Sequence, residues 1–326
     1  MMKEIRLTGK TIVITGASSG AGYSAAIEFA QYHTNLVLAA RNETALEEVA
    51  AECRELGADV LTVVTDVTDA KAVINLANAA NDWHNRIDIW INNAGVLAAG
   101  DFDATPIEVH EQVVKINLLG YMNGAHAVLP FFKTQKHGIL INNISIGGFF
   151  PVPYGAGYTA SKFGITGFSA ALKGELANWP EIYICDMFPA FLDTPGISHA
   201  GNYTGKQLKP APPVYDPKRL AQAMVKVANN PRSGTFVGSA SLILKLTHAL
   251  FPGLTTKLTG AVMRKYFKVA SPIAPTSGNL FNTVNYGMSP YGGFGLPGKP
   301  KSHRKYIAAA LAAGLLTGVW FTLLKR

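Results

Sequence analysis

The chain has 326 residues, two cysteines and a net charge of +8 at pH 7. The two cysteines, Cys53 and Cys185, lie far apart, which excludes a disulfide-stabilised scaffold and a thiolate metal centre, so no metal site is predicted. The charge is uneven: residues 217–326 contain 15 Lys and Arg and no acidic residue. A basic segment of this kind binds phosphate, either of nucleic acid or of anionic lipid.

Short apolar runs separated by helical patterns dominate the first 240 residues. The predicted strands are residues 11–15, 36–40, 60–64, 87–91, 138–144 and 182–188. Nearly continuous apolar strands that alternate with helices are typical of a parallel sheet covered by helices on both faces. We therefore expect residues 1–240 to form one α/β domain with a doubly wound parallel sheet, the Rossmann fold.

A glycine-rich turn follows the first predicted strand. The sequence TGASSGAG, residues 15–22, places Gly16, Gly20 and Gly22 between that strand and a helix. Glycines let the backbone turn tightly and approach a ligand, and the N-terminus of the next helix presents N–H groups and a positive dipole. This arrangement suits a pyrophosphate group, so the turn is a candidate dinucleotide site.

The sequence YTASK, residues 158–162, places a tyrosine four residues before a lysine. On a helix these two side chains lie on the same face. A neighbouring ammonium group favours the phenolate and lowers the pKa of the tyrosine, which makes the phenol a usable proton donor near neutral pH. The same pair also occurs on ordinary solvated helix faces, so the surrounding motifs have to decide between the two interpretations.

The motifs of this chain resemble the classical short-chain dehydrogenase/reductase family over roughly residues 8–240. They are TGASSGAG, Asp66-Val67, NNAG at 92–95, Asn117, Ser145 and YTASK. Ser145 precedes Tyr158 by 13 residues, which is the usual spacing in that family. The resemblance implies hydride transfer between a nicotinamide cofactor and an alcohol or carbonyl group, and it favours a catalytic role for YTASK.

The resemblance also implies four catalytic residues, Asn117, Ser145, Tyr158 and Lys162. Tyr158 would protonate the carbonyl oxygen in reduction or accept the hydroxyl proton in oxidation. Lys162 would lower the pKa of Tyr158 and hold the nicotinamide ribose. Ser145 would hydrogen-bond the substrate oxygen, and Asn117 would anchor a water molecule that links Lys162 to solvent.

The residues expected to bind the cofactor follow from the same motifs. They are Gly16, Ser18, Ser19, Gly20, Gly22, Arg41, Asn42, Asp66, Val67, Asn93, Ala94, Gly95, Tyr158, Lys162, Pro189 and Thr194. Within this set, Asp66 would accept the adenine amine and residues 93–95 would pass along the adenosine ribose. Ala190 stands where the family usually has a glycine, which leaves the role of Thr194 open.

The end of the second predicted strand bears on the choice of cofactor. An acidic residue there would bind the ribose 2′-hydroxyl and repel a 2′-phosphate, but Ala40 occupies this position and Arg41 follows it. Arginine is a natural bidentate ligand of phosphate, and Ser18 and Asn42 can add hydrogen bonds. The sequence therefore favours NADP(H) over NAD(H).

Two segments follow the α/β domain. Residues 241–270 alternate Leu, Phe and Val with Lys and Arg, which predicts an amphipathic helical extension that either lies at a membrane interface or packs on the domain. Residues 271–305 are predicted to be a basic linker, because 11 of the 30 residues from 271 to 300 are proline or glycine.

The stretch 306–324 contains no charged residue. As a helix its 19 residues would be about 28 Å long, close to the roughly 30 Å hydrocarbon core of a bilayer, so a single C-terminal transmembrane helix is predicted. Residues 299–305 contain four Lys or Arg and only two follow the stretch, which places the domain on the cytoplasmic side of the membrane. Gly314 and Gly318 form a step that allows two such helices to pair in a homo-oligomer.

The combined pattern predicts a membrane-anchored, NADP(H)-dependent oxidoreductase that interconverts an alcohol and a carbonyl compound. Apolar residues in 146–153 and 191–197, together with the anchor, favour a small lipophilic substrate such as a steroid, a retinoid or a lipid-like molecule. The alternative is a non-enzymatic NADP(H)-binding sensor or scaffold at the membrane, although such proteins typically lose the Tyr, Lys or Ser. Nucleic-acid binding is not predicted, because the tail is apolar and lacks a basic-aromatic platform.

Overall fold

The computed structural model describes residues 7–295, and its centre is a seven-stranded parallel sheet. The strands are β1 (Thr11–Thr15), β2 (Asn35–Ala40), β3 (Asp59–Val64), β4 (Ile89–Asn92), β5 (Ala98–Ala99), β6 (Gly138–Asn143), β7 (Ile182–Pro189), β8 (Gly201–Asn202) and β9 (Gly234–Val237). The order in the main sheet is β3-β2-β1-β4-β6-β7-β9, and β5 pairs separately with β8.

Nine α-helices accompany these strands in the described part of the chain. They are α1 (Gly20–Ala30), α2 (Glu43–Glu55), α3 (Ala70–His84), α4 (Ile107–Val114), α5 (Gly120–Gln135), α6 (Ala156–Glu175), α7 (Lys218–Asn229), α8 (Ser239–Leu250) and α9 (Pro252–Val269). A π-helical turn, Lys115–Leu119, joins α4 to α5. Polar side chains begin several helices: Asp69, for example, accepts a hydrogen bond from the Lys71 amide at 2.8 Å, an N–H group without a partner inside the helix.

Helices cover both faces of the sheet because successive strand residues point in opposite directions. Ile12 and Ile14 of β1 belong to the buried cluster that contains α1 and α7. Val13, between them, belongs to the cluster on the other face, with α3 and α5. The predicted doubly wound parallel sheet is thereby confirmed.

The six predicted strands correspond to β1, β2, β3, β4, β6 and β7, with ends that differ by at most two residues. The sequence did not predict β5, β8 or β9. These strands have two to four residues, which is too short for a periodic pattern to be visible. The strand order reverses between β1 and β4, and in open parallel sheets this reversal leaves a crevice at the carboxyl ends of the strands.

The chain beyond β9 packs on the sheet domain. Ser241 at the start of α8 is fully buried and donates a hydrogen bond to the Phe188 carbonyl at 2.7 Å, and Phe267 of α9 packs edge-on against Tyr154. Residues 271–295 contain no helix and only two isolated bridges to the sheet domain. Their fully buried Leu280 nevertheless anchors them to the domain.

Between residues 7 and 295 no helix combines the length and the apolar character needed to cross a bilayer. The predicted transmembrane helix 306–324 and the end of the predicted linker lie outside the described residues.

Candidate active site

A cleft of about 370 Å³ opens at the carboxyl ends of the central strands. Most residues predicted to bind the cofactor line it: Gly16, Ser18, Ser19, Gly20, Arg41, Asn42, Asp66, Val67, Asn93, Ala94, Gly95, Tyr158, Lys162, Pro189 and Thr194. Ser145 lines it as well. Two predicted residues, Gly22 and Asn117, are not among the lining residues. The fold therefore brings together residues from the first 194 positions of the chain.

The glycine turn is packed too closely for side chains. A Cβ atom on Gly16, which has a φ of +65°, would lie 2.7 Å from the Cα atom of Ala94. A Cβ atom on Gly22 would lie 2.1 Å from the Gly16 carbonyl oxygen. Gly22 thus lets α1 pack against the turn, and its predicted contact with the cofactor stays a prediction.

The loop after β4 is held against the glycine turn. The Asn93 side-chain amide donates hydrogen bonds to the carbonyls of Thr15, at 3.0 Å, and Gly16, at 3.2 Å. Its oxygen accepts a hydrogen bond from the Asn143 side chain at 2.9 Å. The Asn93 side chain therefore positions the loop, and the cofactor would meet the backbone of residues 93–95.

These features fit a nicotinamide dinucleotide. The turn is a cradle that Cβ atoms would fill, and the N-cap residue Ser19 of α1 makes no side-chain capping hydrogen bond to the first helical amides. Such a helix N-terminus suits a pyrophosphate. Asp66, which lines the same cleft, has a fixed orientation, because one of its carboxylate oxygens accepts hydrogen bonds from the Thr68 amide at 2.9 Å and from the Thr68 hydroxyl at 2.8 Å.

The substitution at Ala190 is accommodated without strain. Its amide donates a hydrogen bond to the Val237 carbonyl at 2.9 Å, and its φ is not in the left-handed region that would require glycine. Thr194 lines the cleft directly opposite the glycine turn, where a Cβ atom on Gly20 would lie 3.3 Å from the Thr194 Cβ atom. Thr194 therefore lies in the cleft, and its contact with the cofactor stays a prediction.

Tyr158, Lys162 and Ser145 meet at one end of the cleft. Helix α6 places Tyr158 and Lys162 one turn apart, with the Lys162 Nζ atom 5.8 Å from the centre of the Tyr158 ring. Lys162 also donates a hydrogen bond to the Asn143 carbonyl at 3.3 Å. Ser145 follows β6 with a φ of +99°, an unfavourable conformation for a residue with a side chain, and its hydroxyl accepts a hydrogen bond from the Gly147 amide at 3.3 Å.

The titration behaviour of this group differs from the expectation. Desolvation raises the pKa of Tyr158, while the hydrogen bond from Ser145 opposes that increase. Desolvation also lowers the pKa of Lys162 to about 7. The expected lowering of the Tyr158 pKa by Lys162 is therefore wrong for the protein groups by themselves, because enclosure disfavours both charged forms. A bound nicotinamide cofactor supplies the hydride, or accepts it, and in its oxidised form adds a positive charge.

Asn117 lies behind this end of the cleft in the π-helical turn. It is fully buried, and its side-chain oxygen accepts a hydrogen bond from the Val96 amide at 2.8 Å. Its side-chain nitrogen donates to the Val96 carbonyl at 2.9 Å and to Ser161 at 3.1 Å. The Asn117 side chain therefore positions the loop after β4 against α6, and the predicted water relay stays a prediction.

Apolar side chains and one histidine line part of the cleft. Val152, Phe191, Leu192, Ile197 and Pro210 line the cleft, as does His199. Burial lowers the pKa of His199, and its ring makes a 2.8 Å hydrogen bond with the Tyr286 carbonyl. Four of the apolar residues lie in the two stretches that were predicted from the sequence to supply apolar side chains, whereas Pro210 was not predicted.

One wall of the cleft was missed entirely. Asn279, Thr283, Val284 and Met288 line it, although they belong to the segment predicted to be a linker. The sequence signal that this segment packs on the domain is its aromatic residues, Phe281, Tyr286, Tyr291 and Phe294. These residues do not indicate which surface of the domain the segment covers.

The short chain dehydrogenase family is matched over residues 10–202 of this chain. The protein belongs to this family. It is an oxidoreductase that acts on CH–OH groups with a nicotinamide cofactor, and the grouping of Ser145, Tyr158 and Lys162 in one cleft agrees with that activity.

Individual relatives agree with this assignment. The chain is 30% identical to an uncharacterized oxidoreductase, YxnA, of Bacillus subtilis strain 168, covering 97% of this chain and 91% of that one. It is 29% identical to estradiol 17-beta-dehydrogenase 11 of Mus musculus, covering 77% and 82% of the two chains. A short-chain dehydrogenase/reductase from Burkholderia phymatum, crystallised with NAD, superposes with a TM-score of 0.68 at 24% identity, covering 84% of this chain and all of that one. At this identity the likeness concerns the fold.

Proposed function

We propose that this protein is an NADP(H)-dependent oxidoreductase that interconverts a lipophilic alcohol and the corresponding carbonyl compound. The observation that carries the proposal is the apolar lining of the cleft that also holds Tyr158, to which Val152, Phe191 and Ile197 contribute. Apolar side chains bind hydrocarbon and leave the substrate oxygen to the few polar groups, here Ser145 and Tyr158. The mouse relative is named for a steroid substrate, which supports the same class.

The preference for NADP(H) rests on Arg41 and Asn42. Both line the cleft directly after β2, and Ala40 before them carries no charge to repel a 2′-phosphate. A guanidinium group forms strong, charge-assisted hydrogen bonds with phosphate oxygens. These residues support a cofactor with a 2′-phosphate over one with a free 2′-hydroxyl group.

A panel of carbonyl compounds tests the substrate class and the cofactor preference together. We expect steroid, retinoid and long-chain ketones or aldehydes to be reduced with NADPH more efficiently than with NADH. Short polar ketones with the same reacting group are the matched control, and they are expected to be poor substrates. The measurement is kcat/KM from the nicotinamide absorbance. Efficient turnover of the polar controls alone, or equal use of NADH, contradicts the proposal.

An exposed apolar face on α8 and α9 supports a position beside a lipid surface. Large apolar side chains recur at every fourth position on each helix, 45–72% exposed: Leu242, Leu246 and Leu250 on α8, and Leu254, Leu258 and Val262 on α9. Basic residues accompany them, among them Lys245, Lys257 and Lys265, and residues 217–326 contain no acid. An apolar face with cations alone suits an anionic lipid surface.

Helices α8 and α9 pack near a segment that lines the cleft. α8 and α9 pack on residues 150–154, through the ring contacts of Phe150 with His248 and of Tyr154 with Phe267. Val152, which lines the cleft, lies between Phe150 and Tyr154. A lipid surface against the two helices would therefore be close to the apolar end of the cleft. We propose that residues 306–324 anchor the protein in that membrane, with the catalytic domain on the cytoplasmic side.

Carbonate extraction tests the anchor. The full-length protein is expected to stay in the membrane pellet, whereas a variant without residues 300–326 is expected to be extracted and still to bind NADPH, because the cofactor residues lie upstream. In sealed vesicles with the cytoplasmic face outward, protease is expected to digest the catalytic domain. Extraction of the full-length protein rules out the anchor, and protection of the domain reverses the orientation.

A further inference from the structure

An irregular segment crosses the cofactor cleft. We define the C-terminal strap as residues 277–294. Its Leu280 is fully buried, and the Asn279 amide donates a hydrogen bond to the His199 carbonyl at 2.9 Å. At its far end, the Phe294 amide donates to the carboxylate of the buried Asp193 at 2.8 Å. The strap is therefore held at both ends, while the residues between them form a wall of the cleft.

Backbone carbonyls of the strap accept hydrogen bonds from the side chains expected to bind a 2′-phosphate. Arg41 donates from Nη2 to the Asn279 carbonyl at 2.5 Å and from Nη1 to the Leu280 carbonyl at 3.4 Å. The Asn42 side chain donates to the Val284 carbonyl at 3.2 Å. The phosphate-binding donors of the cleft are thus already engaged with acceptors of this chain.

Two further hydrogen bonds hold the strap over the cleft. The amide of Gly20, the first residue of α1, donates to the Ser289 carbonyl at 2.9 Å. Gln112 of α4 donates from its side chain to the Leu280 carbonyl at 3.1 Å. The strap therefore contacts α4, the end of β2 and the glycine turn, and it passes the adenosine side of the site.

We propose that the strap is a specificity element of the cofactor site, in which the carbonyls of Asn279 and Leu280 compete with a 2′-phosphate for Arg41. The proposal rests on the proposed preference for NADP(H). A phosphate group carries up to two negative charges and displaces a neutral carbonyl from a guanidinium, but breaking the hydrogen bonds between Arg41 and the strap lowers the affinity for NADP(H). A cofactor with a free 2′-hydroxyl has no group that competes with these carbonyls, so it leaves the hydrogen bonds between Arg41 and the strap in place. The strap thus reduces the difference between the affinities for NADP(H) and NAD(H) that Arg41 would otherwise produce.

Gly278→Ala is the variant that moves this end of the strap. Gly278 has a φ of +54°, and a Cβ atom there would lie 2.2 Å from the His199 carbonyl oxygen, so the backbone must shift. Gly9→Ala is the matched control, since Gly9 has a φ of +69°, precedes β1 at the opposite end of the sheet and has no atom within 4 Å of its Cβ position. Leu280→Ala provides a second way to loosen the strap, by removing its buried anchor.

Dissociation constants of NADPH and NADH, measured by calorimetry, test the competition. Gly278→Ala is expected to bind NADPH roughly tenfold more tightly, the equivalent of one charge-assisted hydrogen bond regained, and NADH with little change. The gain is expected to disappear in the Arg41→Ala background. Gly9→Ala is expected to match the wild type. Weaker or unchanged NADPH binding by both Gly278→Ala and Leu280→Ala overturns the competition and identifies the strap as a cover that retains the cofactor.

A measurement on the unchanged protein completes the test. Binding of 2′,5′-ADP is expected to increase hydrogen exchange in residues 278–285, whereas 5′-AMP, which lacks only the 2′-phosphate, leaves it unchanged. Equal exchange with both nucleotides contradicts the displacement even if a strap variant does not fold. Failure of the proposed cofactor preference is distinguishable, because Arg41→Ala alone would then weaken NADPH and NADH binding equally.

Discussion

Tyr158→Phe is expected to lower kcat by about a hundredfold to ten-thousandfold, the usual contribution of a positioned acid or base. Only the phenolic oxygen is removed, so the ring keeps its place on α6 beside Lys162. The dissociation constant of NADPH is therefore expected to stay close to that of the wild type. Single-turnover kinetics with a substrate from the panel and fluorescence titration of NADPH measure the two quantities.

Tyr183→Phe is the matched control for this variant. Tyr183 lies near the amino end of β7, away from the cleft, and its hydroxyl donates a hydrogen bond to the exposed Glu181. It is expected to retain wild-type turnover. Near-normal turnover of Tyr158→Phe would show that the phenol is not the proton donor or acceptor. Loss of NADPH binding would indicate a structural defect.

Lys162→Met is expected to reduce turnover at least as strongly and also to weaken the binding of both cofactors. Lys162 is 4% exposed, and its ammonium donates a hydrogen bond to the Asn143 carbonyl in the cleft. Methionine has a similar length and no charge, so it removes the donor for a ribose hydroxyl without leaving a large cavity. Lys115→Met, at an exposed position of the π-helical turn, is the control and is expected to behave like the wild type.

The lowered pKa of Lys162 adds a pH dependence to this prediction. Burial brings that pKa to about 7, so the ammonium form becomes more populated as the pH falls through 7. If the ammonium binds the ribose, NADH binds more tightly at pH 6 than at pH 8. NADH is the appropriate probe, because it has no 2′-phosphate that titrates in this range. The dependence is expected to vanish in Lys162→Met, and its persistence there would assign it to another group.

Local sequence patterns were sufficient to predict six of the seven strands of the main sheet and many of the residues that line the cleft. Parallel strands are buried on both faces, so each appears as a nearly continuous apolar run, and their carboxyl ends meet at one edge. The glycine turn, Arg41, Asp66 and the loop after β4 each follow a predicted strand directly. Their positions along the chain therefore determine their positions in the cleft.

Roles that depend on neighbours distant in sequence were not predictable. The Asn117 side chain is hydrogen-bonded to Val96 and Ser161. Gly22 lies where α1 packs closely against the glycine turn. The pKa of Tyr158 is raised because desolvation is the largest effect on it, and the degree of enclosure is a property of the assembled cleft. A sequence motif predicts which side chains are neighbours, but it does not predict how completely the folded protein removes them from water.

The sequence by itself determined the family, six strands of the main sheet and the chemical groups of the candidate active site, because those features are encoded in short, local patterns. Only the tertiary structure decided that Asn279 contacts Arg41, 238 positions away in the chain. A segment rich in proline and glycine has no hydrophobic periodicity that predicts its position. Every residue carries the same backbone carbonyl group, so the sequence does not predict which carbonyl accepts a given hydrogen bond. Which donors those carbonyls meet is decided when Leu280 is buried in the folded domain.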